Sequence, residues 1–264
     1  MAFFKPTAIF FIIKNIFNED THKDLIKWLN SLGNIVNFNN ENASIFVGDE
    51  MISFGKSIDF LKEERFVKIA NKVFVDEDDD ENAIASNRAL IWRRHILVWA
   101  GEHCKNLEGD FCDFGCYDGL ASKFINEYCD LDNNNVNFYL YDVFDNPPLS
   151  HKFPKHSPLL FENVSRSFEG SNNVQVIKGL LPKSLKENYP EKISFAHIDL
   201  NNAEAEMGVL EFIFDRIVPG GIIIFDDYGW VGYEDQQAQE KEFMKKHDLS
   251  ILELPTGQGL IIKR

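Results

Sequence analysis

The chain has 264 residues, with 42 acidic against 27 basic side chains and a formal net charge of −15. That length accommodates one large α/β domain plus an accessory segment, with a substantial buried core. A surface this acidic repels nucleic-acid backbone and no Lys/Arg run relieves it, so nucleic acid is not an expected partner.

The four cysteines, Cys104, Cys112, Cys116 and Cys129, form no Cys-x-x-Cys pair. They read as small buried thiols in a reducing, cytoplasmic setting. Near the N-terminus Ala8 to Ile13 is apolar but too short to span a membrane. Glu19 and Asp20 follow without a small-residue cleavage site, so no signal peptide is expected either.

Residues 1–75 read as a small mixed segment. Ile9 to Ile13 predicts a strand, Lys23 to Leu32 a helix ended by Gly33, Ile45 to Val47 a strand, and Ile58 to Val73 a second helix. No recognisable chemistry falls here, and a dimer contact, a lid and an extra layer all remain open. Asp76 to Glu81 is an acidic run without the glycine or ligand spacing of a cation loop, so it reads as a solvated linker. The chain therefore divides into an accessory segment with linker, 1–82, and a main domain, 83–264.

Ile84 to Cys104 is helical in pattern and apolar around most of its circumference, interrupted by Arg88, Arg93 and Arg94. An apolar run then ends at Asp113, glycines follow at Gly115 and Gly119, and Leu120, Phe124 and Tyr128 share one face of a following helix. Strand, glycine turn and helix is how an open α/β sheet brings backbone N–H groups to a ligand. The spacing lacks the third glycine of the dinucleotide fingerprint, and Asp118 stands where a pyrophosphate disfavours negative charge. A nucleoside ligand without phosphates fits better.

Asn137 to Tyr141 predicts a second strand, and Asp142 at its tip has the spacing of an acid that accepts ribose hydroxyls. Residues 143–173 carry Pro147, Pro148, Pro154 and Pro158 and read as a substrate lid, returning through a helix at Leu159 to Phe168. Strands follow at Val174 to Ile177, Ile193 to Ile198 and Ile222 to Phe225. Between the last two lies a helix stopped by Pro219-Gly220-Gly221. A polar helix, Gln236 to His247, precedes two short antiparallel strands, Ile251 to Leu254 and Leu260 to Ile262. The alternation implies a doubly wound, mostly parallel α/β sheet.

Such a sheet gathers Asp113, Asp142, Asp199 and the pair Asp226-Asp227 at one edge. Carboxylates converging from neighbouring tips repel unless a cation lies between them, and Asp199, Asp226 and Asp227 are the expected ligands of Mg²⁺. A metal-bound hydroxyl is a stronger acid, and its oxygen a ready nucleophile. His197 reads as a satisfied core histidine.

The runs Gly109-Asp110-Phe111 to Gly119, Tyr141-Asp142-Val143-Phe144, His197-Ile198-Asp199-Leu200, Val218-Pro219-Gly220-Gly221 and Asp226-Asp227-Tyr228-Gly229, in this order, resemble class I S-adenosylmethionine-dependent methyltransferases. With the closing Leu254-Pro255-Thr256-Gly257-Gln258-Gly259, they are most similar to the macrocin O-methyltransferase family, which methylates sugar hydroxyls of natural products. The resemblance spans residues 84–264 and implies a Rossmann-like methyltransferase fold. It implies that Asp113, Gly115, Cys116, Tyr117 and Gly119 bind the cofactor with Asp142 and Val143, that Asp142 holds its ribose, and that Asp199, Asp226 and Asp227 hold Mg²⁺. Asp199 is the expected catalytic residue. The family carries a second acid two residues after the first on the fourth strand, followed by Tyr-Glu-Ser/Thr, where this chain has Asn201, Asn202, Ala203 and Glu204.

The reading is an S-adenosylmethionine-dependent O-methyltransferase acting on a hydroxyl of a sugar or glycosylated small molecule, Mg²⁺-assisted, with a homo-oligomer left open. The alternatives are a silent methyltransferase-fold binding protein, a metal-independent small-molecule methyltransferase, and a nicotinamide oxidoreductase, against which the missing glycine speaks.

Overall fold

The computed structural model describes residues 45–49, 51–54, 56–75, 90–145, 157–186 and 188–264. The chain divides into two compact units, Met1–Asp59 and Phe60–Arg264. In the first, β1 (Ile45–Gly48) and β2 (Met51–Phe54) form an antiparallel hairpin. The strand expected at 9–13, the helix at 23–32 and the acidic linker at 76–81 lie outside the described residues, as does the 146–156 part of the lid.

The second unit begins with a 3-10 turn and α1 (Glu64–Val75), which packs on α3 (Leu120–Cys129). Its sheet has seven strands: β3 (Asp110–Phe114), β4 (Phe138–Asp142), β5 (Val174–Lys178), β6 (Ile193–Ile198), β7 (Ile217–Phe225), β8 (Leu252–Glu253) and β9 (Gly259–Ile262). The order is β5-β4-β3-β6-β7-β9-β8, parallel through β7, with β9 antiparallel to both β7 and β8. The chain winds outward from β3 to β5, then crosses back to β6 on the other side of β3. The switch point therefore lies between β3 and β6, where open α/β sheets bind ligands beyond their strand tips.

Strand alternation decides what each face carries. Cys112, Phe114, Ala196, Ile198, Ile223 and Phe225 face the helices α5 (Ala203–Ile213) and α6 (Glu234–Lys246), with Val209, Leu210, Ile213 and Met244 in the same core. The intervening residues Asp113, His197 and Ile224 are cross-strand partners on the opposite face. That face carries α2 (Ile91–Cys104), which packs against α3 and against β6 and β7. Leu97, Val98, Phe124 and Ile125 are fully buried there.

One expected boundary moves. The helix before β7 ends at Ile213 in a 3-10 turn, and Pro219-Gly220-Gly221 lies inside β7. Ile217 pairs with Ile193, after which the register shifts before Ile222 meets Phe195. Proline is tolerated at such an irregularity because no ladder N–H is required of it.

Candidate active site

The β-ladder continues just past the strand ends and sets the tips level. Gly115 N–H donates to Tyr141 O at 2.8 Å, Asp199 N–H to Phe114 O at 2.8 Å, and Asp226 N–H to Ile198 O at 3.0 Å. The predicted site residues of β3, β4, β6 and β7 therefore share one edge.

On the β3–β4 side, Gly115 has φ +98, and a Cβ there would stand 1.9 Å from the carbonyl oxygen of Asp199. Sequence reasoning gave this glycine to a ligand; the structure gives its missing side chain to the neighbouring tip. Cys116 N–H donates to Tyr141 O, and burial, followed by Asp113, Asp142 and Asp118, pushes its thiol well above the ordinary range. Gly119, at φ +74, starts α3 under Val164 of α4 (Leu160–Ser167). Tyr117 and Phe144 donate their backbone N–H groups to Oδ2 and Oδ1 of Asp142, at 2.9 and 2.8 Å. Val143, half-buried, lies between. This pairing fixes an acid at the tip of β4, across the turn from Gly115, and the carboxylate's remaining lone pairs suit the hydroxyls of a nucleoside diol.

Asp113 is turned elsewhere. It is 1 % exposed, accepting from Ser122 Oγ at 2.5 Å and facing His197 Nδ1 at 2.9 Å. Its carboxylate points into the α2/α3 face, not along the crevice as expected.

His197 is the residue that sequence reasoning left out. Its Nε2 lies 3.3 Å from Asp226 Oδ1, so the ring bridges two buried carboxylates. Burial alone would lower its pKa, but Asp113 and then Asp226 outweigh that and push it up to about 10. A carboxylate oxygen at each ring nitrogen favours the imidazolium, which can donate from both.

Asp226 also accepts from Gln258 Nε2 at 2.9 Å and pairs with Arg93 at 2.5 Å. Burial would raise its pKa, yet Arg93, His197 and Arg94 pull it far below the usual carboxylate range. Arg93 also donates to Thr256 O at 3.3 Å and reaches Asp227 at 3.7 Å. Thr256 and Gln258, from the Pro-Thr-Gly-Gln-Gly turn, thereby close the network. Their signal in the sequence was only their place in that turn.

Asp199 stands partly exposed at the tip of β6 and accepts from Asn201 Nδ2 at 2.8 Å. Asn201 in turn accepts from the Tyr233 hydroxyl. Burial, then Asp226 and Asp227, raise the Asp199 carboxyl well above its usual value, against the opposing pull of His197 and Arg93. Ligand atoms of His197, Asp199 and Asp226 lie within 4.8 Å of one another, the grouping that a cation would use. The arrangement does not suit one as it stands. A ligand imidazole must turn a lone pair to the ion, whereas each His197 nitrogen faces a buried carboxylate oxygen. Asp226 gives Oδ1 to two N–H donors and Oδ2 to a guanidinium.

The model of the family described as macrocin-O-methyltransferase (TylF) matches residues 102–251. A search of curated proteins finds no match. Among solved structures, the O-methyltransferase NovP superposes at TM-score 0.55 and 17 % identity, over 66 % of this chain and 80 % of that one. CalS11, a calicheamicin methyltransferase, does so at 0.50 and 16 %, over 75 % and 93 %. The S-adenosylhomocysteine-bound methyltransferase PaMTH1 of Podospora anserina gives 0.51 and 14 %, over 94 % and 97 %. At these identities the structures establish the shared methyltransferase fold. The family match, covering more than half of a chain whose tips carry this set of acids, places the protein in the macrocin-O-methyltransferase (TylF) family of S-adenosylmethionine-dependent methyltransferases.

Proposed function

We propose that the protein transfers a methyl group from S-adenosylmethionine to a hydroxyl of a sugar or glycosylated small molecule, with Asp199 as general base. The observation that carries this is the position of Asp199, whose carbonyl fills the Gly115 corner while its carboxylate stands at the switch-point crevice.

The cofactor supplies a methyl group already activated on a sulfonium. The chain's task is alignment and proton removal. Asp142 anchors the nucleoside side. A raised pKa makes Asp199 a competent base for a weakly acidic alcohol, and the Asn201 amide on Oδ1 directs the second carboxylate oxygen to the acceptor. As the C–O bond forms and the C–S bond breaks, the hydroxyl proton passes to Asp199 and the bond pair leaves with sulfur. No step requires Mg²⁺, although the grouping around Asp199 and Asp226 keeps metal assistance as a second reading. The sugar acceptor follows from the family's chemistry, and the acidic surface disfavours polyanionic acceptors.

Incubation with methyl-labelled cofactor and a panel of sugars, glycosides and phenols tests the proposal. Label is expected in sugar-bearing acceptors, and Asp199→Asn should abolish it while S-adenosylhomocysteine binding survives. Binding of S-adenosylhomocysteine without label in any acceptor favours a silent module. Binding of NAD in its place overturns the proposal altogether.

A further inference from the structure

We propose that Arg93 is the resident cation of this cleft, a positioning residue that holds Asp226 and Asp227 in the place a divalent ion would otherwise hold them, so that methyl transfer proceeds without metal. The proposal deepens the methyl-transfer reading and rests on it for its catalytic consequence.

A guanidinium is almost never fully buried unless paired, and Arg93 is 5 % exposed on an otherwise apolar helix face. Its surroundings are built for it. Asp226 Oδ2 lies at 2.5 Å, Asp227 Oδ1 at 3.7 Å and Thr256 O at 3.3 Å. The Trp230 ring lies 5.0 Å from the guanidinium carbon, and the indole sits against Gly257, where a Cβ would come 2.2 Å from Nε1. One guanidinium nitrogen serves both carboxylates and the other the Thr256 carbonyl, a spread of donors over an aromatic ring that a planar, always-charged group can supply.

The guanidinium of Arg93 reaches two of the clustered carboxylates, Asp226 and Asp227, and the His197 ring stands between Asp113 and Asp226. Hard divalent ions need oxygen lone pairs, and Mg²⁺ demands near-octahedral geometry. Here Asp226 Oδ1 receives both His197 and Gln258. The oxygen of Asn201 is taken by Tyr233, and its amide presents N–H to Asp199. An entering ion would meet donors at these groups and would have to displace the guanidinium.

Mn²⁺ titration followed by electron paramagnetic resonance, with calorimetric binding of S-adenosylhomocysteine measured separately, tests this on the full chain. Wild type is expected to bind Mn²⁺ no tighter than about 1 mM, the weak end of protein oxygen sites, and to keep its Tm in EDTA. Arg93→Met uncovers Asp226 and Asp227 and should gain Mn²⁺ affinity at least tenfold, with Mn²⁺ raising its Tm. Arg93→Lys keeps the charge and should gain no site. If Arg93→Met fails to fold, the wild-type and Arg93→Lys titrations decide. Tighter wild-type binding that is lost in Asp226→Asn, or an Arg93→Met protein without gain, overturns the proposal. Failure to bind S-adenosylhomocysteine would overturn the methyl-transfer reading and leave the metal result standing.

Discussion

The carbonyl oxygen of Asp199 occupies the space in which a side chain on Gly115 would begin. The two tips on either side of the switch point are therefore locked to one another, and the glycine turn after β3 positions the proposed base after β6. Gly115→Ala must displace that carbonyl and adopt φ +98. Overpacking typically costs about 1–3 kcal/mol, and a Cβ in left-handed backbone adds about 1–2 kcal/mol. Gly170, at φ +95 with nothing within 4 Å of its would-be Cβ, is the control. Urea unfolding should show Gly115→Ala losing about 1–3 kcal/mol more than Gly170→Ala, the overpacking share. Equal losses would mean that the two tips are not in contact.

Much of this arrangement is legible in the sequence because parallel strands buried on both faces are continuous apolar runs with sharp polar ends. Asp142, Asp199 and Asp226 follow directly as tip residues. What stays hidden needs the third dimension. His197 looks like any buried histidine until alternation puts it beside Asp113 on β3. Arg93 looks like a polar break in a helix, and only helix packing shows that its face covers Asp226. Pro219 reads as a helix stop because a register shift within a strand leaves no periodicity to detect.

Asn201 tests how Asp199 is tuned. Its Nδ2–H donates to Asp199 Oδ1 at 2.8 Å, which favours the ionised base. Asn201→Asp puts a second carboxylate in that place, and like charges at hydrogen-bond distance raise the pair's apparent pKa. The acid limb of the kcat profile should move up by about one pH unit or more, with S-adenosylhomocysteine affinity unchanged. Tyr233→Phe removes the hydroxyl that orients Asn201 and should lower kcat without moving the limb. An unmoved limb in Asn201→Asp would remove Asp199 from the role of base.

Asp142 carries the cofactor prediction. Two backbone N–H groups hold its carboxylate at the β4 tip, so Asp142→Asn preserves the shape but loses charge and one acceptor. A hydrogen bond to a charged group contributes about 1.5–3 kcal/mol, or roughly a 10- to 100-fold change in binding. Calorimetry should show S-adenosylhomocysteine weakened within that range, and the Tm of the free protein should fall as well, because one of the two backbone N–H groups then faces the amide NH₂. Unaltered affinity would move the ribose elsewhere.

The last prediction concerns a carboxyl pair under the same loop. Glu206 of α5 accepts Leu200 N–H at 3.0 Å, directly after Asp199, and Glu240 of α6 packs on it. Both are buried, at 2 % and 0 % exposure. Two carboxyls buried side by side repel unless one keeps a proton. Burial, with the Glu240 contact, pushes Glu206 well above the usual range, and burial chiefly lifts Glu240 from 4.5 to about 7. The folded state therefore binds more protons than the unfolded chain between those two values, and unfolding free energy must fall as pH rises through that window. Urea unfolding of wild type from pH 5 to 8 should show this decline, and Glu240→Gln, which needs no proton to bond with Glu206, should flatten it. Parallel profiles for the two proteins would mean that the carboxyls share no proton, and that Leu200 is held beside Asp199 by an ionised Glu206 alone.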